Sequence, residues 1–311
     1  MDNSRLRIER LSHQYTTQWA VKDVSFEIES NGVVGLLGSN GAGKSTLMNI
    51  MCGALYQTRG DVYINGMDIR KDPKEAKKQI GFLPQKAPLY PDLTVDEYLY
   101  YCAKLRLINK NYIGKAMEEA KTRCGIMHFS HRLLRNLSVG YQQRVGIAQA
   151  IIHKPRLVVL DEPTNGLDPN QIIEVRNLIK NIANDCSVLI STHILSEVEA
   201  ICDHIKMIEH GIMVFEGTMK DFRDAVKTDT FLVKLRNPPS TDHIESIEGV
   251  EAVEQLNDRR IFRLTISNEE VTLDRIVKRS IDSNWRLYGI DAEKASLEET
   301  FAALSKNQFL N

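Results

Sequence analysis

The chain has 311 residues, with 40 basic and 41 acidic side chains, and its formal net charge is −1. This balance argues against a protein that mainly coats nucleic acid, because a polyanionic backbone favours a basic surface. The apolar runs are far shorter than the roughly 18 residues of a membrane-spanning helix, and the first residues lack the apolar core of a signal peptide. We therefore expect a soluble protein of two domains, since a domain takes roughly 150 residues.

The cysteines give no sign of a metal site or a disulfide framework. They are odd in number, widely spaced and contain no C-x-x-C pair. We expect buried thiols in a reducing cytosol. The five are Cys52, Cys102, Cys124, Cys186 and Cys202.

Hydropathy patterns in the first part of the chain predict strands and helices in alternation. The first 30 residues alternate as strands do, and Asn65-Gly66 predicts a hairpin within residues 61–69. Residues 92–152 lack β-branched runs and favour helices. Continuous apolar runs separated by helical stretches suit a parallel sheet that is covered on both faces. These runs lie at residues 33–37, 157–160, 188–190 and 205–208.

The pattern restarts after a boundary that we place at residues 220–229. The order of the elements that follow is βαββαβ, which is typical of a small ferredoxin-like α+β domain. The strands are expected at 231–235, 250–255, 261–266 and 285–290, and the helices at 240–247 and 270–281. A terminal helix, 296–304, opens with the capping box Ser296-Leu297-Glu298-Glu299. The expected domains are residues 1–222 and 229–311.

A glycine-rich loop between an apolar strand and a helical stretch predicts a phosphate-binding site. It fits G-x-x-x-x-G-K-[ST] at every fixed position. Glycines let successive N–H groups point at phosphate oxygens, and the following helix adds its partial positive charge. Lys44 supplies a cation to the β- and γ-phosphates, and Ser45 a hydroxyl for Mg²⁺. A chance glycine-rich turn would not require the flanking strand and helix. The loop is Gly38-Ser39-Asn40-Gly41-Ala42-Gly43-Lys44-Ser45.

Two carboxylates end the apolar strand at residues 157–160 and predict the second half of the site. The carboxyl ends of parallel strands are where ligands bind. We expect Asp161 to hold Mg²⁺ through water and Glu162 to act as the general base on the attacking water. By themselves these residues would favour a solvated turn before Pro163, but the phosphate loop favours the catalytic interpretation.

Six motifs resemble, in the same order, those of the ATP-binding cassette (ABC) ATPases. Residues 161–168 resemble the acidic strand end and the loop after it, and residues 137–144 resemble the signature, normally L-S-G-G-Q. Ser191-Thr192-His193 is similar to the switch histidine of the family, Gln85 to the glutamine that links the metal site to a helical subdomain, and Tyr15 to the aromatic that stacks on adenine. From the residues alone, Tyr15 could also be an ordinary aromatic on a sheet surface.

The resemblance implies an α/β fold, a P-loop NTPase core with an antiparallel β subdomain and a helical subdomain at about 86–152, followed by the α+β domain. It also implies roles for individual residues. The catalytic residues are Glu162, His193 and Lys44, and the metal-binding residues are Ser45, Gln85 and Asp161. The ATP-binding residues are Tyr15, Gly38, Ser39, Asn40, Gly41, Ala42, Gly43, Lys44, Ser45, Thr46, Gln85, Ser138, Gly140 and Asp168.

The signature departs from the family pattern, with Val139 at the first glycine and Tyr141 at the glutamine. Ser138 and Gly140 remain, and in the family this serine and glycine contact the γ-phosphate from the opposite subunit. The resemblance thus implies a head-to-tail dimer of two copies that closes on ATP and opens on hydrolysis.

Within the family, a more specific resemblance is to the bacterial export-type cassettes that carry a short C-terminal domain. Residues 90–99, 191–197 and 297–301 are similar to theirs. This implies an ATPase subunit at the inner, cytoplasmic face of the cell membrane, which docks on separate membrane-spanning permease subunits through its helical subdomain, with no nucleic-acid partner.

Two alternatives stay open. A non-transport ABC ATPase would act on ribosomes or DNA, although such proteins usually carry two cassettes, coiled-coil insertions or DNA-binding domains. The C-terminal domain could be a small-molecule sensor instead of a packing or dimer-stabilising module.

Overall fold

The computed structural model describes residues 4–226 and 229–306. The chain forms two compact units, Met1–Met219 and Lys220–Asn311. The boundary region predicted at 220–229 includes residues 227 and 228, which lie outside the described residues, as do the first three residues and the last five. Within the described residues, no helix is both long and apolar enough to cross a membrane.

The first unit contains ten strands and its helices in the alternating order that the sequence predicts. The strands are β1 (Leu6–Tyr15), β2 (Gln18–Ile28), β3 (Gly32–Leu37), β4 (Arg59–Ile64), β5 (Met67–Asp68), β6 (Ile80–Leu83), β7 (Leu157–Asp161), β8 (Ser187–Thr192), β9 (His204–Glu209) and β10 (Ile212–Thr218). The helices are α1 (Lys44–Met51), α2 (Pro73–Lys78), α3 (Val95–Leu105), α4 (Lys110–Arg123), α5 (Val139–Ile151), α6 (Pro169–Ala183) and α7 (Leu195–Ile201). A further helix, α8 (Met219–Asp224), begins at the last residue of this unit.

The central sheet has the order β10-β9-β3-β8-β7-β6. Five of its strands are parallel, and β10 pairs with β9 as an antiparallel edge. Every residue of β7 and of β8 is buried, which explains their continuous apolar sequences. The predicted parallel sheet is confirmed, and its carboxyl edge carries the loops that begin at residues 38, 162 and 193.

A second, antiparallel sheet has the order β2-β1-β4-β5. The predicted hairpin joins β4 and β5, where both Asn65 (φ 49°) and Gly66 (φ 79°) have the positive φ of a tight hairpin turn. Apolar residues of this sheet, such as Phe26, share one core cluster with Leu47 of α1 and Val159 of β7. The helix that follows the glycine-rich loop is therefore fixed between the two sheets.

The helices predicted for residues 92–152 are α3, α4 and α5. A capping box starts α3, since Thr94 Oγ1 accepts from the Glu97 backbone N–H and the Glu97 carboxylate accepts from the Thr94 backbone N–H. The Ser138 hydroxyl caps α5. These caps fix the first turns of α3 and α5.

The second unit is a four-stranded antiparallel sheet with helices, in βαββαβ order. Its strands run in the sheet order β12-β13-β11-β14, which is the ferredoxin-like arrangement. The strands are β11 (Thr230–Leu235), β12 (Val250–Gln255), β13 (Ile261–Ile266) and β14 (Leu287–Ala292), and the helices are α9 (Thr241–Glu245), α10 (Glu269–Asp282) and α11 (Leu297–Lys306).

The last strand begins two residues later than the sequence predicts. Asn284 and Arg286 have left-handed φ values of 55° and 54°, which interrupt the extended backbone on both sides of Trp285. Trp285, between them, is buried in the core of the unit, where it packs in the cluster that contains Phe262. The capping box at α11 is confirmed, because Ser296 and Glu299 exchange both bonds of the motif.

Candidate active site

The glycine-rich loop runs from the end of β3 to the start of α1, and its shape depends on glycine. A Cβ at Gly38 would overlap the carbonyl oxygen of Ile208. Gly43 has a φ of 106°, and a Cβ there would overlap the carbonyl oxygen of Ala20. Both neighbours are backbone and cannot move aside, so the loop can pass here only as glycine.

Lys44 is buried, with 6% of its surface exposed, and its Nζ donates to the carbonyl oxygens of Gly38 and Ser39 at 2.9 Å each. Burial lowers the pKa of Lys44, while the negative charges of Glu162 and Asp161 act to raise it. The ammonium group is thus held inside the loop, next to the acidic strand end, where a phosphate would add the counter-charge that it lacks.

The remaining predicted loop residues line the start of α1. Ser45 is exposed at its first turn and Thr46 is half-buried, and Asn40 and Gly41 are exposed on the loop itself. Ala42 is buried, and its N–H donates to the Ser39 carbonyl oxygen at 3.1 Å. The exposed residues form the open side of the loop, from which a phosphate could enter.

The acidic strand end lies beside the end of β8, because Asp161 and Ser191 are partners in the parallel register. The Ser191 hydroxyl donates to the Asp161 carboxylate, and the Glu162 backbone N–H donates to the same hydroxyl oxygen at 3.0 Å. Asp161 is buried with this partner. Its position is therefore fixed by two neighbouring strands.

The structure brings three of the predicted site residues, Glu162, Gln85 and His193, into contact. Glu162 Oε2 accepts a hydrogen bond from Gln85 Nε2 at 2.8 Å, and Glu162 Oε1 lies 2.9 Å from His193 Nδ1. Glu162 has a φ of 46°, an unusual value for a residue with a side chain. The three residues come from three loops of one sheet edge, and both Gln85 and His193 are exposed.

The donor chemistry at this edge fits Mg²⁺, which prefers oxygen ligands. The Ser45 hydroxyl is exposed, and Asp161 contributes a carboxylate. The amide nitrogen of Gln85 already donates to Glu162, which leaves the amide oxygen for a cation. All three predicted metal ligands are thus oxygen donors.

Tyr15 lies at the end of β1 and is 49% exposed. The buried ring of His13 packs edge-on against it, with the ring centroids 4.5 Å apart and an interplanar angle of 81°. The exposure leaves part of the Tyr15 ring accessible to a ligand. Its stacking on adenine stays a prediction.

The signature residues lie at the start of α5. Ser138 and Val139 are exposed, whereas Gly140 is buried under Gln171, whose side-chain oxygen would lie 2.6 Å from a Cβ at Gly140. Asp168 caps α6 and accepts from the Gln171 backbone N–H at 3.0 Å. Among the described contacts, none joins these residues to the phosphate loop of their own chain, so their predicted role requires a second chain.

Two buried carboxylates belong to the site and were missed at the level of sequence. Glu197 is 2% exposed and accepts from the hydroxyls of Thr164 and Thr192. Glu209 is 4% exposed and accepts from the N–H and the hydroxyl of Ser39. Glu209 directly follows the apolar run at 205–208. An acidic residue at a buried strand end is the signal that could have singled it out.

Two protein-family models match parts of this chain that contain the site residues. A family model described as "ABC transporter" matches residues 21–165, which include the phosphate loop and the acidic strand end. A second model, described as "AAA domain, putative AbiEii toxin, Type IV TA system", matches residues 133–199.

Relatives match over both parts of the chain. The bacitracin transport ATP-binding protein BcrA of Bacillus licheniformis is 37% identical over 208 residues, which cover 66% of this chain and 67% of BcrA. The linearmycin resistance ATP-binding protein LnrL of Bacillus subtilis (strain 168) is 27% identical over 307 residues, which cover 96% of this chain and 98% of LnrL.

A solved structure shows the same core. It is cbiO1 from Clostridium perfringens, described as part of the ABC transporter complex cbiONQ. It is 28% identical, with a TM-score of 0.65, and the match covers 70% of this chain and 90% of that chain.

Proposed function

This chain belongs to the family of ABC transporter ATP-binding proteins and is an ATPase, and on that premise we propose that it powers an exporter through separate membrane subunits. The observation that carries the proposal is the single sheet edge where Lys44, in its glycine loop, lies close to the cluster of Glu162, Gln85 and His193. This edge would combine a phosphate-binding loop with a carboxylate base, and a phosphoryl-transfer site needs both.

Export is the finer part of the proposal. BcrA is named for bacitracin transport and LnrL for linearmycin resistance, and removal of a toxic compound from the cell would serve resistance. The match to LnrL covers the C-terminal unit as well as the ATPase unit. We take a cytoplasmic position at the inner face of the membrane as the setting, where ATP and the permease are both within reach.

The residues of the site suggest how ATP would be hydrolysed. Backbone N–H groups of the loop and the Lys44 ammonium would bind the phosphates, and Tyr15 would stack on the adenine. The Glu162 carboxylate would take the proton of the attacking water, while His193 would hydrogen-bond the γ-phosphate. Mg²⁺, held by Ser45, Asp161 and Gln85, would neutralise phosphate charge.

The second half of each nucleotide site would come from another copy of the chain. Ser138 and Val139 are exposed at the start of α5, a 13-residue helix whose N-terminus carries partial positive charge. In a head-to-tail dimer, Ser138 and Gly140 would meet the γ-phosphate bound to the other copy, and Asp168 would lie at the same junction. ATP would then hold the dimer closed, and hydrolysis would release it.

The permease would dock on the surface formed around α3. A cavity of about 480 Å³ lies here, lined by apolar side chains and by the basic residues Lys74, Lys77, Lys78 and Arg106. It is close in sequence to Gln85, which would connect the docking surface to the catalytic edge. Its apolar lining includes Tyr90, Tyr98, Tyr101, Leu105 and Leu107.

The role of Glu162 is tested by the substitution Glu162→Gln, which keeps the shape of the side chain and removes its basicity. We expect ATP turnover to fall by at least about 100-fold, as general base catalysis contributes, while ATP binding is kept and ATP favours a dimer in size-exclusion chromatography. Glu199→Gln, an exposed carboxylate on α7, is the matched control. Wild-type turnover in Glu162→Gln would remove Glu162 as the base.

The transport assignment needs a different experiment. The tagged chain, purified from membranes of its own host, should bring with it a protein that has several membrane spans. Recovery with ribosomes or DNA alone would contradict transport and would favour the non-transport ATPase.

A further inference from the structure

Glu162 has a strained backbone that must be held by its surroundings. Its φ of 46° lies in the left-handed region, which residues with a Cβ rarely adopt. The turn that follows supplies one restraint, because the backbone N–H of Asn165 donates to the Glu162 carbonyl oxygen at 3.1 Å. The same residue supplies a second restraint, since Asn165 Nδ2 donates to Glu162 Oε2, also at 3.1 Å.

The other side-chain partners of Glu162 come from distant loops. Gln85 is 77 residues away along the chain and His193 is 31 residues away. The proposed function also assigns Gln85 to the metal ion and His193 to the γ-phosphate, so both side chains serve the ligand as well as Glu162. Among the partners that the structure describes, Asn165 is the one that lies in the same turn as Glu162 and has no assigned contact with ATP.

We propose that Asn165 is a positioning residue, whose side-chain amide holds the Glu162 carboxylate towards the attacking water from within the same turn. This inference rests on the proposed role of Glu162 as the base. An amide suits the position because it donates a hydrogen bond and brings no charge next to Asp161 and the phosphates. Asn165 is exposed, so its substitution should not disturb the core.

The test compares Asn165→Asp and Asn165→Ala with the wild type in steady-state ATP hydrolysis. Both remove the donor, and the aspartate also keeps the shape. We expect kcat to fall about tenfold in Asn165→Ala, which corresponds to about 1.4 kcal/mol of lost transition-state stabilisation, and at least as far in Asn165→Asp, whose charge would repel the Glu162 carboxylate, while KM for ATP stays within about twofold. Asn170→Asp, which makes the same chemical change at an exposed position on α6, should leave both constants unchanged.

A double substitution separates positioning from a general structural effect. If Asn165 acts through Glu162, then Asn165→Ala in the Glu162→Gln background should cause no further fall in the residual rate. A further tenfold fall would overturn the proposal, as would an unchanged kcat or a change confined to KM in the single variants.

The failure of this inference can be told from a failure of the proposed function. If Glu162→Gln is inactive and both Asn165 variants keep wild-type kcat, the base stands and Asn165 is not its positioning residue. If Glu162→Gln itself turns over ATP normally, the base assignment fails first and the inference falls with it.

Discussion

Replacement of Glu197 by alanine should lower the unfolding free energy of the ATPase unit more than replacement of an exposed carboxylate would. Glu197 lies on α7, and its two oxygens accept from the hydroxyls of Thr164, in the loop after Glu162, and of Thr192, next to His193. The guanidinium of Arg176 lies 3.9 Å away. One buried carboxylate thus ties together the two loops that carry the proposed base and the switch histidine.

The magnitude follows from these contacts. In Glu197→Ala, the hydroxyls of Thr164 and Thr192 lose their hydrogen-bond acceptor, and both residues are at most 5% exposed. A buried polar group without a partner costs about 1–3 kcal/mol, so the expected loss of unfolding free energy is about 2–6 kcal/mol. Glu197→Gln keeps one accepting oxygen and the shape, so we expect a loss of about 1–3 kcal/mol.

Urea unfolding can measure this loss in one unit at a time. Trp19 lies in the first unit and Trp285 in the second, so the emission of Trp19 in a Trp285→Phe background reports on the ATPase unit. Glu118→Gln, at an exposed position on α4, is the control and should shift the free energy by less than about 0.5 kcal/mol. If Glu197→Ala unfolds at the wild-type urea concentration, the two hydrogen bonds do not hold the loops, and the reasoning is wrong.

Two further predictions concern the glycine-rich loop and His153. Gly38→Ala should abolish ATP binding measured by calorimetry, because its methyl group would overlap the Ile208 carbonyl oxygen. Gly41→Ala has no atom within 4 Å of its Cβ but a strained φ of 83°, so it should weaken ATP binding without abolishing it. Burial lowers the pKa of His153 from 6.5 to about 4, with a smaller contribution from Arg106. The folded state therefore binds fewer protons than the unfolded state, so stability from this site is present above pH 6.5 and is lost as the pH falls towards 4. As the pH falls from 6.5 to 4, the unfolding free energy of His153→Gln should fall by up to about 3 kcal/mol less than that of the wild type. An equal fall in both proteins would contradict the assignment.

The strands of the central sheet could be predicted from sequence because burial on both faces leaves a continuous apolar run. The run at 188–190, for example, lies inside β8, where every residue is buried. The hairpin at Asn65-Gly66 was equally clear, since few residues other than asparagine and glycine accept two successive positive φ values. The start of β14 was not predictable, because Arg286 adopts a left-handed φ that is unusual for arginine and has no signal in the sequence.

The meeting of the site residues could be expected in part. Parallel strands end at one edge, so Asp161 and the loop after β8 had to be neighbours, and the register pairs Asp161 with Ser191. The contacts of Glu209 could not be expected in the same way. Ser39 and Glu209 are 170 residues apart along the chain, and only the packed sheet brings them together. The functional roles of all these residues stay predictions until the variants are measured.

The proposed reacting groups are all bonded within the protein, and this has a consequence for how ATP would act. The Lys44 ammonium is bonded to the carbonyl oxygens of Gly38 and Ser39, and the Glu162 carboxylate to Gln85 and Asn165. These bonds use two of the three N–H donors of Lys44 and only the amide nitrogen of Gln85, so a phosphate and a metal ion could be bound while the bonds are kept. Because Gln85 leads into the helical segment from residue 86, a metal ion on its amide oxygen would link the proposed base to the surface on which we place the permease.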